Sequence, residues 1–226
     1  MGPSSVRQLS AAAAVAAAVL IVVGAVLPGQ PPDFGATSSK VVAYFRDNHK
    51  AQLVGTVLIE LGVAFLVGLI AQLAVLLRDA GQRAHAAVVG IAGAASLGTL
   101  AVGAGLYGGL AQLAMFGSEA STTAPLYRLI QFIQVAWAWT TLMLVLAVAH
   151  AAWRGAFARW VVGANGIIAV LLVLAGLCVK GNGVFAAGTG AFCVIGSIAF
   201  LVWVLHLGVL FWLRMQDAPA PAASPV

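Results

Sequence analysis

Charge is what this sequence has least of. Only 8% of its 226 residues are charged, whereas soluble domains carry roughly a quarter. So few charges cannot cover a water-soluble surface, and 62% of the residues are hydrophobic. The composition therefore excludes a soluble enzyme or a soluble binding domain, and it favours an integral membrane protein.

Carboxylates are scarce as well, and their positions exclude two classes of membrane enzyme. Aspartate occurs only at positions 33, 47, 79 and 217, all outside the long apolar runs. Paired-aspartate prenyltransferases, which hold diphosphate through magnesium, need acidic pairs that this chain lacks. The same absence argues against a proton relay built from several carboxylates.

Neither metal nor cofactor chemistry is indicated. The two cysteines, Cys178 and Cys193, flank the glycines at 181 and 183, and continuous helices would place them at depths differing by roughly 10 Å. That separation exceeds the reach of a disulfide, so we expect two packing thiols. No second ligand pair accompanies them, and no P-loop, zinc or haem motif is present, so the sequence predicts no metal and no cofactor.

The basic residues point to lipid rather than to nucleic acid. The net charge of +5 is spread over the ends of the apolar runs and forms no clustered basic face, which nucleic-acid binding would require. We therefore expect membrane lipids as partners and no nucleic acid.

The apolar runs predict an all-α bundle of six transmembrane helices that forms one domain over residues 1–216. A run of about 20 apolar residues is long enough to cross the hydrocarbon core. A signal peptide is the alternative for the first run, but that run is long and no clear cleavage site follows it. The predicted spans are about 9–27, 51–77, 85–116, 126–153, 156–179 and 184–213.

Two segments outside the spans have their own predictions. Val41, Val42 and Phe45 have near-helical spacing, which predicts a short amphipathic helix over residues 39–50 at the membrane interface. Thr37, Ser38 and Ser39 are its candidate N-caps. The tail at 217–226 is rich in proline and alanine and is predicted to be disordered.

The orientation follows from the short turns. Six spans place both termini on one side, together with the arginines at 78, 83, 154 and 159, while Arg128 and Lys180 lie on the other side. The positive-inside rule then predicts cytoplasmic termini. We expect a multi-pass protein of a bacterial inner membrane.

Glu60 is the residue most suggestive of function. It is the only charged side chain between Leu53 and Leu77, and a charge near the bilayer centre costs about 2.5–3.5 kcal/mol on insertion scales. In a dry pocket its carboxyl would be neutral and could donate a proton. The alternative is a neutral Glu60 that only bonds a neighbouring helix.

The fourth predicted span carries a polar stripe. Gln131, Gln134, Trp137 and Thr141 fall within one arc of about 120°. Such groups are poorly satisfied against lipid, so we expect them to point into the bundle. They would either line a polar pocket, with Phe132 nearby, or form hydrogen bonds between helices.

The last two spans add further candidates. Trp203 and His206 lie three residues apart on one face of the sixth span, and Asn165 in the fifth belongs to the same polar set. Glu60 as acid and His206 as base would be the minimum for proton-transfer catalysis. A histidine that is simply bonded within the core is the simpler interpretation.

Two resemblances accompany these residues. The proline-rich first loop, the helix around Val41, Tyr44 and Phe45, and Arg78 at the end of the second span resemble six-span membrane proteins of high-GC bacteria, which imply no activity. Glu60 is similar in position to the glutamate of small integral-membrane terpene cyclases, which protonates a polyene or an epoxide. That family also carries an acidic residue near its last span, and His206 would have to replace it here.

The sequence thus supports two hypotheses. In the first, Glu60 starts the cyclisation of a lipophilic polyene or epoxide. Gln131, Gln134 and His206 orient the acid or accept the final proton; Phe132, Trp137 and Trp203 stabilise cations through their rings; Thr141 and Asn165 complete the pocket. In the second, the protein is a non-catalytic membrane accessory subunit or a small-molecule permease. A homo-oligomer is compatible with both.

Overall fold

A computed structural model describes residues 3–116, 120–180 and 182–216, and over these ranges the protein is a helical bundle without a named strand. The helices are α1 (Pro3–Val26), α2 (Ser38–Asp47), α3 (His49–Asp79), α4 (Arg83–Met115), α5 (Ala120–Trp153), α6 (Trp160–Gly176) and α7 (Ala191–Gln216). The tail predicted to be disordered, 217–226, lies outside the described residues.

The all-α prediction is confirmed for the part of the chain that the structure describes. Helices α1, α3, α4, α5 and α7 are long and apolar enough to cross a membrane. Helix α6 is apolar but has only 17 residues, and at 1.5 Å per residue it is about 26 Å long. A sixth span therefore stays a prediction.

The long helices and α6 form a closed ring in which neighbours in sequence are neighbours in space. α1 packs on α3, each later helix packs on the next, and α7 returns to α1. Neighbours run antiparallel, so α2 and the segments 27–37 and 177–190 lie at one end of the bundle, called here the α2 end. The start of α1 and the end of α7 lie at the opposite end, called here the termini end.

Glycines allow these helices to approach closely. A Cβ added to Gly24 on α1 would lie 2.6 Å from the carbonyl oxygen of Gly55 on α3, and a Cβ at Gly208 on α7 would lie 2.9 Å from the Cβ of Ala14. Small residues serve this purpose in membrane bundles, where backbone contact replaces the missing hydrophobic drive between helices. The glycines therefore set the helix spacing.

We expect Gly55→Ala to lower the free energy of unfolding by about 1–3 kcal/mol, because its methyl group would strike the carbonyl of Gly24. Gly68→Ala is the matched control on the same helix, where an added Cβ meets nothing within 4 Å. The control should be neutral or slightly stabilising. Equal effects of the two variants in a denaturing-detergent titration would contradict the close crossing.

The predicted amphipathic helix is present as α2, but its apolar face covers protein. Thr37 is its N-cap and accepts a hydrogen bond from the backbone N–H of Lys40 at 3.4 Å. Val41 and Phe45 are buried in one cluster with Leu110 of α4 and Tyr127 of α5. Helix α2 is thus docked onto the α2 end of the ring, and its contact with the membrane interface stays a prediction.

The predicted boundaries at 179 and 184 are wrong, because α6 ends at Gly176 and α7 begins only at Ala191. Between them the chain folds back on itself: Lys180 donates its N–H to the carbonyl of Phe185, and Ala187 donates to the carbonyl of Lys180, both at 3.0 Å. Residues 181–190 contain four glycines, and that density disfavours helix.

This segment also overturns the depth argument for the cysteines. Cys193 lies in the first turn of α7, so both thiols lie near the same end of α6. Each thiol also contacts a carbonyl at the end of α6, Leu174 for Cys178 and Ala175 for Cys193. The predicted difference in depth is wrong, whereas the expectation of two free, buried thiols is confirmed.

Candidate ligand-binding cavity

A cavity of about 240 Å³ lies within the half of the bundle nearer the α2 end. Helices α1, α3, α4, α5 and α7 line it, together with Tyr44 of α2 and the first loop. Most of the lining is aliphatic or aromatic, and the lining contains no Asp, Glu, Lys, Arg or His. The cavity therefore suits an uncharged, apolar guest.

The cavity reaches the outer surface of the bundle beside α1. Helices α1 and α7 touch near the termini end, where Ala14 meets Gly208. Toward the α2 end, Val22 and Ala25 of α1 and Ser197 of α7 are exposed on the outer surface and also line the cavity. These three residues define a lateral window through which a lipid-dissolved molecule could enter.

A hydrogen-bonded lid closes the cavity at the α2 end. Gln52 of α3 donates its amide N–H to the hydroxyl of Tyr44 at 2.9 Å, and Tyr44 donates to the carbonyl of Gly29 at 3.3 Å. Burial raises the pKa of Tyr44 to about 12, although the bond from Gln52 lowers it. The hydroxyl thus stays protonated and keeps the first loop tied to α2 and α3.

All three tyrosines of the chain gather at this end. The rings of Tyr44, Tyr107 and Tyr127 surround Phe45 at centroid distances of 5.2, 5.9 and 5.7 Å. Tyr107 meets Tyr127 edge to face with ring centroids 6.2 Å apart, and Tyr127 donates to the carbonyl of Pro32. The sequence analysis missed Tyr107 as a lining residue, although three tyrosines in 226 residues, each near a helix end on the same side, could have indicated it.

The polar stripe of α5 points into the bundle as expected. Gln131 and Thr141 are fully buried, and Trp137 is 7% exposed. The stripe both lines the cavity and forms hydrogen bonds between helices. Gln134 and Trp137 line the cavity, whereas Gln131 donates to the hydroxyl of Tyr107 at 2.7 Å. The Thr141 hydroxyl is hydrogen-bonded to that of Ser96 on α4 at 2.6 Å.

Phe132 lies apart from the stripe. It is 41% exposed and meets Phe34 of the first loop edge to face, with ring centroids 5.6 Å apart. It is not part of the cavity lining.

The candidates on α6 and α7 form contacts between helices. Trp203 donates its indole N–H to the side-chain oxygen of Asn165 at 2.8 Å, and Asn165 donates to the carbonyl of Val161 at 2.8 Å. His206 packs edge to face against Trp160, with centroids 4.8 Å apart. Trp203, Asn165 and His206 are all absent from the cavity lining.

Glu60 lies at the edge of the contact between α3 and α4 and outside the cavity lining. Its side chain is half-buried beside Gly105 of α4, among the exposed side chains of Val57 and Leu61. Within the described part of the chain its carboxyl forms no hydrogen bond or ion pair. The structure does not bring Glu60 and His206 together around the cavity, and their catalytic roles stay predictions.

No group of three or more His, Cys, Asp or Glu side chains able to hold a metal occurs among the described residues. What the site offers is therefore an apolar volume with a few neutral polar groups. The chain matches no family model, and no curated protein or solved structure matches it significantly.

Proposed function

We propose that this protein binds an uncharged lipophilic small molecule in the cavity near the α2 end and takes it from the bilayer through the lateral window. The observation that carries the proposal is a cavity without charged lining, some of whose apolar lining residues are also exposed on the outer surface of a bundle of long apolar helices. Ligand sites are typically concave, mostly apolar and equipped with a small number of polar groups. This cavity has those properties.

The absence of charge from the lining selects against ions. A charged ligand would lose its hydration and find no counter-charge, which costs far more than apolar contact returns. An apolar ligand instead gains about 25 cal/mol for each Å² removed from water, when it arrives from water. A molecule already dissolved in lipid does not have this gain, so its binding depends on shape complementarity and a polar contact as well.

Binding is better supported than acid catalysis. Cyclisation would require a proton donor in contact with the substrate, and neither Glu60 nor His206 lines the cavity. Binding needs no such donor and is equally compatible with a permease or an accessory subunit. Acid-initiated cyclisation is tested separately, by measuring the product of Glu60→Gln.

Filling the cavity should abolish binding. Gly103 of α4 lines it, and an added Cβ there would meet only Ile133, at 3.7 Å, so that leucine would extend into the void. We expect Gly103→Leu to lower the affinity for a lipophilic fluorescent probe at least tenfold. Lipid that copurifies with the wild type, identified by mass spectrometry, should be depleted as well.

Gly109→Leu is the matched control. It lies on the same helix, is exposed on the outer surface, and has nothing within 4 Å of an added Cβ. The change from glycine to leucine alters helix propensity by the same amount at both positions, so any difference in probe binding between the two variants is due to the cavity. Unchanged probe binding by Gly103→Leu, with the protein folded, would refute the proposed function.

A further inference from the structure

The two short turns at the termini end are held together by hydrogen bonds. Gln82, in the turn between α3 and α4, donates its side-chain amide to the carbonyls of Ala151 and Arg154 at 3.2 and 3.3 Å. Ring nitrogens of His85 on α4 and His150 on α5 lie 2.8 Å apart and share a hydrogen bond. The turn after α3 and the turn after α5 are therefore fixed beside each other.

Two arginines with exposed side chains lie at each of these turns. They are Arg78 and Arg83 at the first turn, and Arg154 and Arg159 at the second. Within the described part of the chain, none of the four guanidinium groups forms a hydrogen bond or an ion pair. The five N–H donors of each group are thus left to solvent or to a ligand.

The four arginines form one basic surface, called here the arginine surface. Arg83 follows Gln82 directly, and Gln82 is bonded to the carbonyl of Arg154, so charges from both turns lie side by side. Asp79 is the one acidic side chain that the described residues place at this end. Like charges on such a surface repel one another, and a bound anion would offset that repulsion.

Exposed tryptophans flank the arginines of the second turn. Trp153 precedes Arg154 and is 78% exposed, and Trp160 follows Arg159 and is 47% exposed. The ring of Trp153 also meets that of His150 edge to face, with centroids 6.3 Å apart. Indole rings are enriched at the level of the lipid head groups, where their apolar body and polar N–H are both accommodated. The arginine surface is therefore expected at the depth of the lipid phosphates.

We propose that the arginine surface binds the phosphate group of an anionic phospholipid, with Arg83 and Arg154 as the contacting side chains. Guanidinium groups match phosphate oxygens through paired, charge-assisted hydrogen bonds. Basic sites between transmembrane helices recognise lipid head groups by the same chemistry. The flanking tryptophans favour a lipid over a soluble phosphate, because only a lipid brings apolar surface to these rings. The site lies at the end of the bundle away from the cavity and does not depend on the proposed function.

The test measures lipid binding to the full chain, purified in a neutral detergent, by native mass spectrometry. Phosphatidylglycerol is compared with phosphatidylcholine, in which the choline cation neutralises the same phosphate. Wild type is expected to prefer phosphatidylglycerol. Arg83→Gln combined with Arg154→Gln should lower the phosphatidylglycerol affinity about 5- to 25-fold, because each cation near an anionic lipid contributes roughly fivefold. Both side chains are exposed and unpaired, so the double variant should fold.

Arg46→Gln combined with Lys50→Gln is the matched control. It removes the same charge from exposed positions at the α2 end and should keep the wild-type preference for phosphatidylglycerol. An equal loss of affinity in the control would show attraction to net charge alone, and equal binding of the two lipids by wild type would show that no such site exists. Either result overturns the proposal. Displacement of the lipid by inorganic phosphate would assign the arginine surface to a soluble anion and would overturn it as well.

Discussion

Gly188→Ala is expected to destabilise the protein by about 2–5 kcal/mol, the largest loss that we predict for a single methyl group. Gly188 has φ +73°, and a Cβ there would overlap the side-chain oxygen of Gln131. The left-handed conformation alone costs a non-glycine residue about 1–2 kcal/mol, and overpacking adds about 1–3 kcal/mol. A denaturing-detergent titration monitored by circular dichroism would measure the change.

Gly183→Ala separates the two costs. Gly183 has φ +76°, but an added Cβ meets nothing within 4 Å, so only the backbone cost of about 1–2 kcal/mol applies. Adding Gln131→Ala to Gly188→Ala should recover part of the loss, because the two side chains would no longer compete for one volume. If Gly188→Ala is no worse than Gly183→Ala, the 177–190 segment does not pack on α5 as described.

Glu60→Leu is expected to raise the free energy of unfolding in lipid vesicles by about 2–3 kcal/mol. The carboxyl is half-buried at the edge of the α3–α4 contact, beside exposed apolar side chains, and has no hydrogen-bond or ion-pair partner among the described residues. Removing an ionisable group from hydrocarbon should recover most of its insertion cost of about 2.5–3.5 kcal/mol. Glu60→Gln should have a smaller effect of the same sign.

Thr56→Val, one turn earlier on α3, is the contrasting control. Its hydroxyl donates to the carbonyl of Ala104 across the helix interface, so its loss should destabilise by about 0.6–1.7 kcal/mol. A loss of stability in Glu60→Leu would show that the carboxyl has a partner in the membrane. Loss of a cyclised product in folded Glu60→Gln would instead support the cyclase hypothesis.

Periodicity and composition predicted those features that depend on local sequence. The direction of the α5 stripe was predictable, because amides and hydroxyls cost free energy against lipid whatever helix lies opposite. The Thr37 cap and the buried face of α2 were also predictable, because each depends on residues that are close together in sequence. Helix ends between 177 and 190 were missed, because the segment is apolar enough to resemble a span despite its glycines.

The pairing of side chains could not be predicted. Asn165 and Trp203 look like cavity residues in sequence, but they satisfy each other across α6 and α7. Glu60 looks interior by depth, but depth along a helix does not specify which face meets lipid. Only the packing of α4 against α3 places its carboxyl half-buried beside Gly105, outside the cavity lining.

Scarcity of charge and the length of the apolar runs were enough to predict a helical membrane protein without any coordinates, because hydrocarbon admits few charges and backbone hydrogen bonds must be satisfied within each helix. The tertiary structure decided where a void is left and which side chains line it. Those outcomes depend on how closely glycines let particular helices approach, and contacts between residues far apart in sequence leave no local pattern.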